Sequence, residues 1–422
     1  MNNCLESKQE SSIDALEFFS GIGGIHLSLK NAFKLSALNS NYRLNVIKAY
    51  EINEFANRVY RKNFPETSIL CKNIESLTIN DIPKSDIWLI SPPCQPFTNG
   101  GSNRDSNDNR TKPFLRLIEL MYEIGDNVPK AWFVENVINF ETSNTHNLML
   151  NMLNKLNFTV FEFLITPTII GIPNTRVRYY CLAIRDNVMS IGNNINILFN
   201  SNIKQLKTNF YNKFKEYNAG KLISNKAHIK SEHSNIICYL PFDEYKCNCI
   251  LDSYCNKPNS ISDVIGNFNI NEINELVNLS KIIVNSNPSF KFDIVNKYSK
   301  VSTTFARSYI KTKGRGGPLL NFSINIKPSS YNDNIDIFDH IFNTSAVDPS
   351  RFQKVDNLSN AKIRCFHPIE ILLIMGFPES WFNDLNLSLQ QQYSLIGNSI
   401  SVYIVTIIFY FFFEIMEKTS IT

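Results

Sequence analysis

Asp86-Ile87-Trp88-Leu89-Ile90-Ser91-Pro92-Pro93-Cys94-Gln95-Pro96-Phe97 decides how this chain is read. Ile87 to Ile90 is a short apolar run of the kind that forms a buried strand, and the residues after it stop that strand at once. The prolines fix their own φ and restrict the residue ahead of each. A cysteine is thus presented on a stiff turn at a strand's carboxyl end. In open α/β sheets, ligands bind and chemistry happens outside those ends. Cys94 is therefore a candidate nucleophile. The plain alternative is a half-buried structural thiol.

Working outward, the same texture recurs over 13–190. Ala15 to Phe19, Val46 to Tyr50, Ala131 to Val134 and Tyr179 to Ile184 also read as buried strands. Ile25 to Phe33, Glu54 to Lys62 and Phe114 to Ile124 carry helical patterns between them. Buried strands alternating with helices predict an α/β fold, a mostly parallel, doubly wound, Rossmann-like sheet. From about 190 to 360 the chain turns rich in Asn, Ser and Lys with weak periodicity, which predicts a smaller, irregular domain. Patterned sequence returns near Arg364. The expected division is a polar tail over 1–12, a main domain over 13–190, the irregular domain over 191–361 and a return to the main domain over 362–422.

The chain has 422 residues, 43% of them hydrophobic, enough for one large core and a smaller one. Its net charge of +4 permits a polyanionic partner without demanding one. Nine scattered cysteines, an odd number, fit reduced thiols inside a cell better than a disulfide framework. Residues 1–12 lack the charged-then-apolar pattern of a signal peptide. Ile400 to Phe413 is almost wholly apolar, but a membrane span needs roughly 20 such residues, and Glu414 closes this run early. A core-packed helix is expected there, with no membrane.

Four further motifs bear on chemistry. In Leu16-Glu17-Phe18-Phe19-Ser20-Gly21-Ile22-Gly23-Gly24 the glycines let the backbone turn tightly after a strand and approach a ligand. The N–H groups that open the following helix favour a carboxylate-bearing group. Glu51 ends the second strand, where an acid typically binds ribose hydroxyls; a solvated surface carboxylate is the alternative. Together these point to a nucleoside cofactor, and the spacing is not the dinucleotide fingerprint. Trp132-Phe133-Val134-Glu135-Asn136-Val137 puts a carboxylate at another strand end, on the same sheet edge as Cys94, where an acid can hold or donate a proton. In Gly171-Ile172-Pro173-Asn174-Thr175-Arg176-Val177-Arg178-Tyr179-Tyr180 the two arginines point the same way if a strand begins there. They could clamp a phosphate, a base carbonyl or the glutamate. Gln392 to Ile400, with Gly397-Asn398-Ser399, sits at a loop-to-helix junction; a helix cap is the plain reading.

Taken in this order the motifs resemble those of the cytosine-5 methyltransferases. Within that superfamily they are most similar to DNA methyltransferase homologue 2, the branch that methylates cytosine 38 of aspartate tRNA. Asn63-Phe64-Pro65 and Met375-Gly376-Phe377-Pro378 add to the match, which covers roughly 13–190 and 362–418. The resemblance implies S-adenosyl-L-methionine as cofactor. Phe19, Ser20, Gly21, Ile22, Gly23 and Gly24 would line its methionine end, Glu51 its ribose, and Ile74 and Glu75 its adenine. Ser91, Asn398 and Ser399 would complete the pocket. It also implies that Cys94 adds to carbon 6 of the base and that Glu135 holds the exocyclic amine and ring nitrogen 3. Arg178, with Arg176 beside it, would hold the base and keep the thiol ionised. The polar loop from Asn99 to Thr111 would close over the site as a lid, and 191–361 would recognise the target.

The match departs in one place. The tRNA branch carries a Cys-Phe-Thr triplet in its recognition domain, and the aligned residues here are Thr304-Phe305-Ala306. Nearby, Lys311-Thr312-Lys313-Gly314-Arg315-Gly316-Gly317 is basic and reads as a phosphate contact. Cys238, Cys247, Cys249 and Cys255 crowd one region, with His233 not far off, but lack paired C-x-x-C spacing, so no metal is expected. The expected protein is an intracellular, cytoplasmic or nuclear monomer acting on tRNA. DNA is the rival substrate, and a catalytically silent nucleic-acid-binding module is the rival class. The presence of Cys94, Glu135, Arg176 and Arg178 speaks against silence.

Overall fold

The computed structural model describes residues 11–94, 108–186, 236–237, 260–265, 292–312, 315–322, 352–353 and 363–420. Strands β1 (Ser11–Phe18), β2 (Tyr42–Tyr50), β3 (Ser68–Leu70), β4 (Ile87–Ile90), β5 (Ala131–Val137), β6 (Phe158–Ile165), β7 (Arg178–Arg185) and β8 (Ile236–Ile237) form one eight-stranded sheet. Their order is β3-β2-β1-β4-β5-β7-β6-β8. β1 to β5 pair in parallel, and β7 runs antiparallel to both β5 and β6. The parallel, doubly wound expectation holds for the first five strands. The antiparallel β7 is the departure.

Helices cover both faces, as parallel strands require. These are α1 (Gly24–Leu35), α2 (Glu54–Asn63), α3 (Lys112–Glu123) and α4 (Asn144–Lys155). α5 (Ile261–Ile265), α6 (Pro368–Met375), α7 (Leu389–Gly397) and α8 (Val402–Ser420) follow. The pleat divides the strand residues between two cores. Leu89 and Phe133 pack with Leu29 and Phe33 of α1 on one face. Trp88, Ile90, Trp132 and Val134 pack with Leu117 and Met121 of α3 and Met149 and Met152 of α4 on the other. Every residue of β4 and β5 is buried, which is why Ile87–Ile90 and Ala131–Val134 read as unbroken apolar runs.

The C-terminal run is part of that core. Phe409 lies 4.7 Å from Phe133 by ring centroids, Phe413 5.4 Å from Phe33, and Phe411 meets Phe161 edge-on at 5.7 Å. Leu389–Glu417 passes a length-and-composition test for crossing a membrane, but 72% of its most apolar window is buried within this fold. Burying each such Phe contributes roughly 1.5–3 kcal/mol, so α8 anchors the returning chain against α1.

β6 is the strand that sequence patterning misses. Glu162 interrupts its apolar run, yet that carboxylate is buried, 2.5 Å from Nε2 of His146 and 2.7 Å from the Tyr179 hydroxyl. A local pattern cannot show that a buried acid has partners on α4 and β7.

A second sheet, β11-β9-β10-β12, is formed by β9 (Phe292–Val295), β10 (Leu319–Asn321), β11 (Phe352–Gln353) and β12 (Ile363–Cys365). Where it rejoins α6, Arg364 and Glu370 form a buried two-pronged ion pair at 2.7 and 2.8 Å. The second region is tied to the first by its segment 302–307. Ser302 Oγ donates to the Pro173 carbonyl at 2.6 Å, Thr175 N–H to the Ser302 carbonyl at 2.8 Å, and Asn174 Nδ2 to the Thr303 carbonyl at 2.9 Å. On the other side Gly397 lies flat against the same segment: a Cβ there would sit 2.5 Å from the Arg307 nitrogen and 2.6 Å from the Ala306 carbonyl carbon. Backbone cannot yield as a side-chain tip can. Gly397→Ala should destabilise the fold by about 1–3 kcal/mol, the usual cost of overpacking, read as a lower denaturant midpoint. An unchanged midpoint would contradict this packing.

The region from Cys238 to Cys255, His233, loop residues 95–107, Lys313-Gly314 and residues 1–10 lie outside the described residues. Expectations for a metal cluster and for most of the lid fall there.

Candidate active site

The first half of the site is the turn after β1. The backbone takes positive φ at Phe19 (57°), Gly21 (52°) and Gly23 (84°) before α1 begins. Phe19 pays the steric penalty for an L-residue in that region, a feature that clusters at ligand sites. Gly23 is the N-cap of α1 and supplies no side-chain cap; the His26 N–H goes to Glu17, and the Gly24 and Ile25 N–H groups are left to meet an anion. A Cβ at Gly23 would sit 2.4 Å from Phe64, and one at Gly24 2.8 Å from Ile400. Above Gly21 the space is open. The buried Ser20 hydroxyl has no protein partner among the described residues.

Across the turn, Glu51 follows β2. Its carboxylate accepts the Gly21 N–H at 3.0 Å and the Asn53 N–H at 2.8 Å, while its carbonyl accepts Asn57 Nδ2 at 3.1 Å. The acid is held rigid with lone pairs to spare for a diol. Ile74 is buried and Glu75 exposed on a 3₁₀ turn capped by Asn73. Ser399 closes the far wall, its hydroxyl 3.2 Å from where a Gly24 Cβ would be, and Asn398 is exposed beside it. An uncapped helix start, an orphaned hydroxyl and a braced carboxylate fit S-adenosylmethionine, which carries an amino-acid carboxylate and a ribose.

Beneath this turn lies an acid that the sequence reading passed over. Glu17 is fully buried in β1. Its carboxyl accepts the His26 N–H at 3.3 Å and lies 2.7 Å from the Tyr60 hydroxyl, which lies 2.8 Å from Nδ1 of His26. Burial raises its pKa to about 8, against the lowering effect of those hydrogen bonds. Burial lowers that of His26. The trio is an uncharged strut between β1, α1 and α2. The only signal in sequence was an acid inside a buried apolar run.

The second half of the site is the catalytic edge. Cys94 follows β4, and Glu135 is in the last turn of β5. Because β7 is antiparallel, its first residue lands at the same edge: Arg178 pairs with Val137, and Tyr180 with Glu135. Residues opposite one another share a face. Arg178 Nε thus stands 3.7 Å from Glu135 Oε1, and the Ser91 hydroxyl donates to Glu135 Oε2 at 2.8 Å. Ser91, expected in the cofactor pocket, also braces the acid. Arg178 Nη1 also donates to the Val177 carbonyl at 2.7 Å, which fixes the guanidinium.

Two expectations need correcting. Cys94 is not held ionised in the free protein. Burial pushes the thiol pKa up and Glu135 adds to the rise, against the lowering pull of Arg178 and Arg176. A low-dielectric surrounding penalises the thiolate more than the two cations favour it. Second, Arg176 does not share a strand face with Arg178, because β7 begins only at Arg178. Arg176 turns inward, 4% exposed, and donates to Thr304 Oγ1 at 3.0 Å, the Phe305 carbonyl at 3.2 Å, the Gly397 carbonyl at 3.4 Å and the Ser399 carbonyl.

The charge balance at Cys94 can be tested directly. Glu135→Gln removes the anion that raises the thiol while leaving both arginines. Alkylation of Cys94 by iodoacetamide, followed on its own peptide by mass spectrometry, should become faster at neutral pH in that variant, with its pH midpoint moved down. A midpoint moved up, or not at all, would mean that Glu135 does not set the thiol's ionisation.

The family model described as C-5 cytosine-specific DNA methylase matches residues 13–413. The chain belongs to that family. Among its relatives, the tRNA (cytosine(38)-C(5))-methyltransferase of Spodoptera frugiperda is 32% identical over 405 residues, spanning 94% of this chain and 98% of that one. A DNA (cytosine-5)-methyltransferase of Dictyostelium discoideum is 31% identical over 93% of this chain and 92% of its own. The crystal structure of a Spodoptera frugiperda DNMT2 mutant superposes with a TM-score of 0.63 at 29% identity, covering 96% of this chain and 99% of that one. The methylase is thus an enzyme of the cytosine-5 class on an α/β methyltransferase fold, and its family implies S-adenosylmethionine as the methyl donor.

Proposed function

We propose that this methylase methylates carbon 5 of cytosine in tRNA, at cytosine 38 of aspartate tRNA, through a covalent Cys94 adduct. The observation that carries the chemistry is the meeting of Cys94, Glu135 and Arg178 at one sheet edge, beside a turn shaped for a nucleoside-bearing amino acid. The near-full-length likeness to the Spodoptera frugiperda tRNA enzyme supports the choice of polymer.

Carbon 5 of cytosine is a poor nucleophile. The Cys94 thiol gives its proton to Glu135 as Sγ adds to carbon 6, and the electron pair of the carbon 5–carbon 6 bond moves toward carbon 5 and the ring. Glu135 hydrogen-bonds the exocyclic amine and gives a proton to ring nitrogen 3, neutralising the charge that addition creates. Arg178, already fixed against Glu135, holds the base in that pose. The raised thiol pKa fits this order of events. Once Glu135, seated against the base, has taken the thiol proton, its negative charge no longer opposes the sulfur while the arginines remain, so the nucleophile is unmasked by substrate. S-adenosylmethionine supplies the electrophilic methyl group when bound. Loss of the carbon 5 proton to water then returns an electron pair to the ring bond and expels Cys94 as thiolate, while ring nitrogen 3 returns its proton to Glu135. The target base reaches Cys94 outside its stack.

An intracellular, monomeric enzyme follows from this reading, with 191–361 as the recognition region. The likeness to the Dictyostelium discoideum enzyme makes DNA the second reading. Bisulfite sequencing after incubation with cofactor, on aspartate tRNA and on duplex DNA in parallel, separates them. Conversion-resistant cytosine at position 38 of the tRNA is expected. Modified DNA with unmodified tRNA would overturn the substrate assignment and leave the chemistry standing.

A further inference from the structure

Arg176 is an unusual arginine. It is buried, and its hydrogen-bond acceptors among the described residues are all neutral oxygens. Those oxygens belong to two segments far apart in sequence: Thr304 and Phe305 in the recognition region, and Gly397 and Ser399 in the returning chain. A buried guanidinium left without acceptors is costly, so these two segments are held in one relative position for as long as Arg176 is satisfied.

The two segments reach different surroundings. The 302–307 segment carries Arg307, whose Nε donates to Ser394 Oγ at 3.3 Å, and leads into the basic stretch that ends at Arg315. The Gly397–Ser399 turn abuts the cofactor turn: Ile400 and Ser399 lie 2.8 and 3.2 Å from where a Cβ on Gly24 would be. Recognition segment, Arg176, Ser399 and Gly24 form one unbroken line of contact. The 302–307 segment is also gripped from both sides, by 173–176 and by Gly397.

We propose that Arg176 is a positioning residue that couples nucleic-acid recognition to cofactor binding, with the Thr304 hydroxyl as its contact in the recognition region. The inference rests on the function proposed above for its choice of ligands. RNA settling against 302–307 fixes Thr304, which fixes Arg176, which holds the Ser399 carbonyl and so the wall of the cofactor pocket. Coupling of this kind is reciprocal: cofactor bound at the turn tightens RNA to the same degree. Thr304-Phe305-Ala306, the place where this chain departs from the Cys-Phe-Thr triplet, then has a physical role, because a hydroxyl accepts from a guanidinium better than a thiol does.

The test is a binding cycle without turnover. The affinity of the full chain for S-adenosylhomocysteine is measured by calorimetry alone, with aspartate tRNA and with a cytosine-containing DNA duplex. In the natural protein tRNA should tighten S-adenosylhomocysteine by about fivefold or more, the lower end of ordinary allosteric coupling. Thr304→Val, which removes the acceptor, should lose most of that factor, and Thr304→Ser, which restores it, should keep it. Arg176→Lys should also lose it, since an ammonium cannot span both segments. Thr304→Val keeps the question answerable if the Arg176 variant fails to fold. Equal coupling in Thr304→Val and the natural protein overturns the proposal, as does absent coupling in a natural protein that methylates its polymer. Coupling seen with DNA and not with tRNA supports the Arg176 linkage and overturns the tRNA assignment instead. If neither polymer binds, both fall.

Discussion

Cys94→Ala should abolish methyl transfer, by on the order of a thousandfold or more, because removing the nucleophile of a covalent mechanism leaves only binding and positioning. The cofactor turn should be untouched. It is built from β1, α1 and the segment after β2, and none of the hydrogen bonds that brace it comes from Cys94. S-adenosylhomocysteine affinity is therefore expected to stay level while incorporation of labelled methyl groups disappears. A trapped adduct adds a positive signature: with 5-fluorocytosine in the substrate, carbon 5 cannot lose a proton, so the natural protein should remain joined to nucleic acid in a denaturing gel and Cys94→Ala should not. Turnover that survives in Cys94→Ala would sink the proposed nucleophile outright.

The second large effect concerns the acid beneath the cofactor turn. Glu17 has a folded pKa of about 8 against an unfolded value of 4.5. Between those values the folded protein keeps a proton that the unfolded chain has released. The native state binds more protons, so stability falls as pH rises through that window and levels off above it. At about 1.4 kcal/mol per unit, the loss across the window is on the order of 5 kcal/mol. Glu17→Gln keeps an acceptor for the His26 N–H and a donor for the Tyr60 hydroxyl but cannot ionise. Compared with the natural protein, the variant should gain several kcal/mol between pH 5 and pH 8.5 in denaturant unfolding, and the difference cancels contributions from other groups. A stability difference that is the same at both pH values would show that Glu17 is charged in the fold. Because Glu17 accepts the His26 N–H at 3.3 Å in the first turn of α1, the same titration should weaken cofactor affinity above about pH 8.

How much of this was legible depended on how local each signal is. β4 and β5 are buried on both faces, so their apolar runs stand out, and the residues that follow them, Cys94 and Glu135, were placed at one edge correctly as geometry. Gly21, Gly23 and Gly24 announce a turn because positive φ at Gly21 and Gly23, and close packing at Gly23 and Gly24, exclude a Cβ. β6 was hidden by Glu162, whose partners His146 and Tyr179 lie on other elements. Ser91 was assigned to the cofactor, and its further bond to Glu135 was not legible, because the two lie 44 residues apart. Arg176 was set beside Arg178 on a strand that begins two residues too late for it.

The order of strand, turn and reactive residue was fixed by composition alone, because burial on both faces of a sheet and the stereochemistry of Gly and Pro act within a few residues. What only the tertiary structure decided was direction and charge. An antiparallel β7 delivers Arg178 to Glu135, burial pushes the Cys94 thiol pKa up, and Arg176 is turned inward to Thr304, Phe305 and carbonyls of the returning chain. Strand direction and desolvation are sums over the whole fold, so no window of sequence contains them.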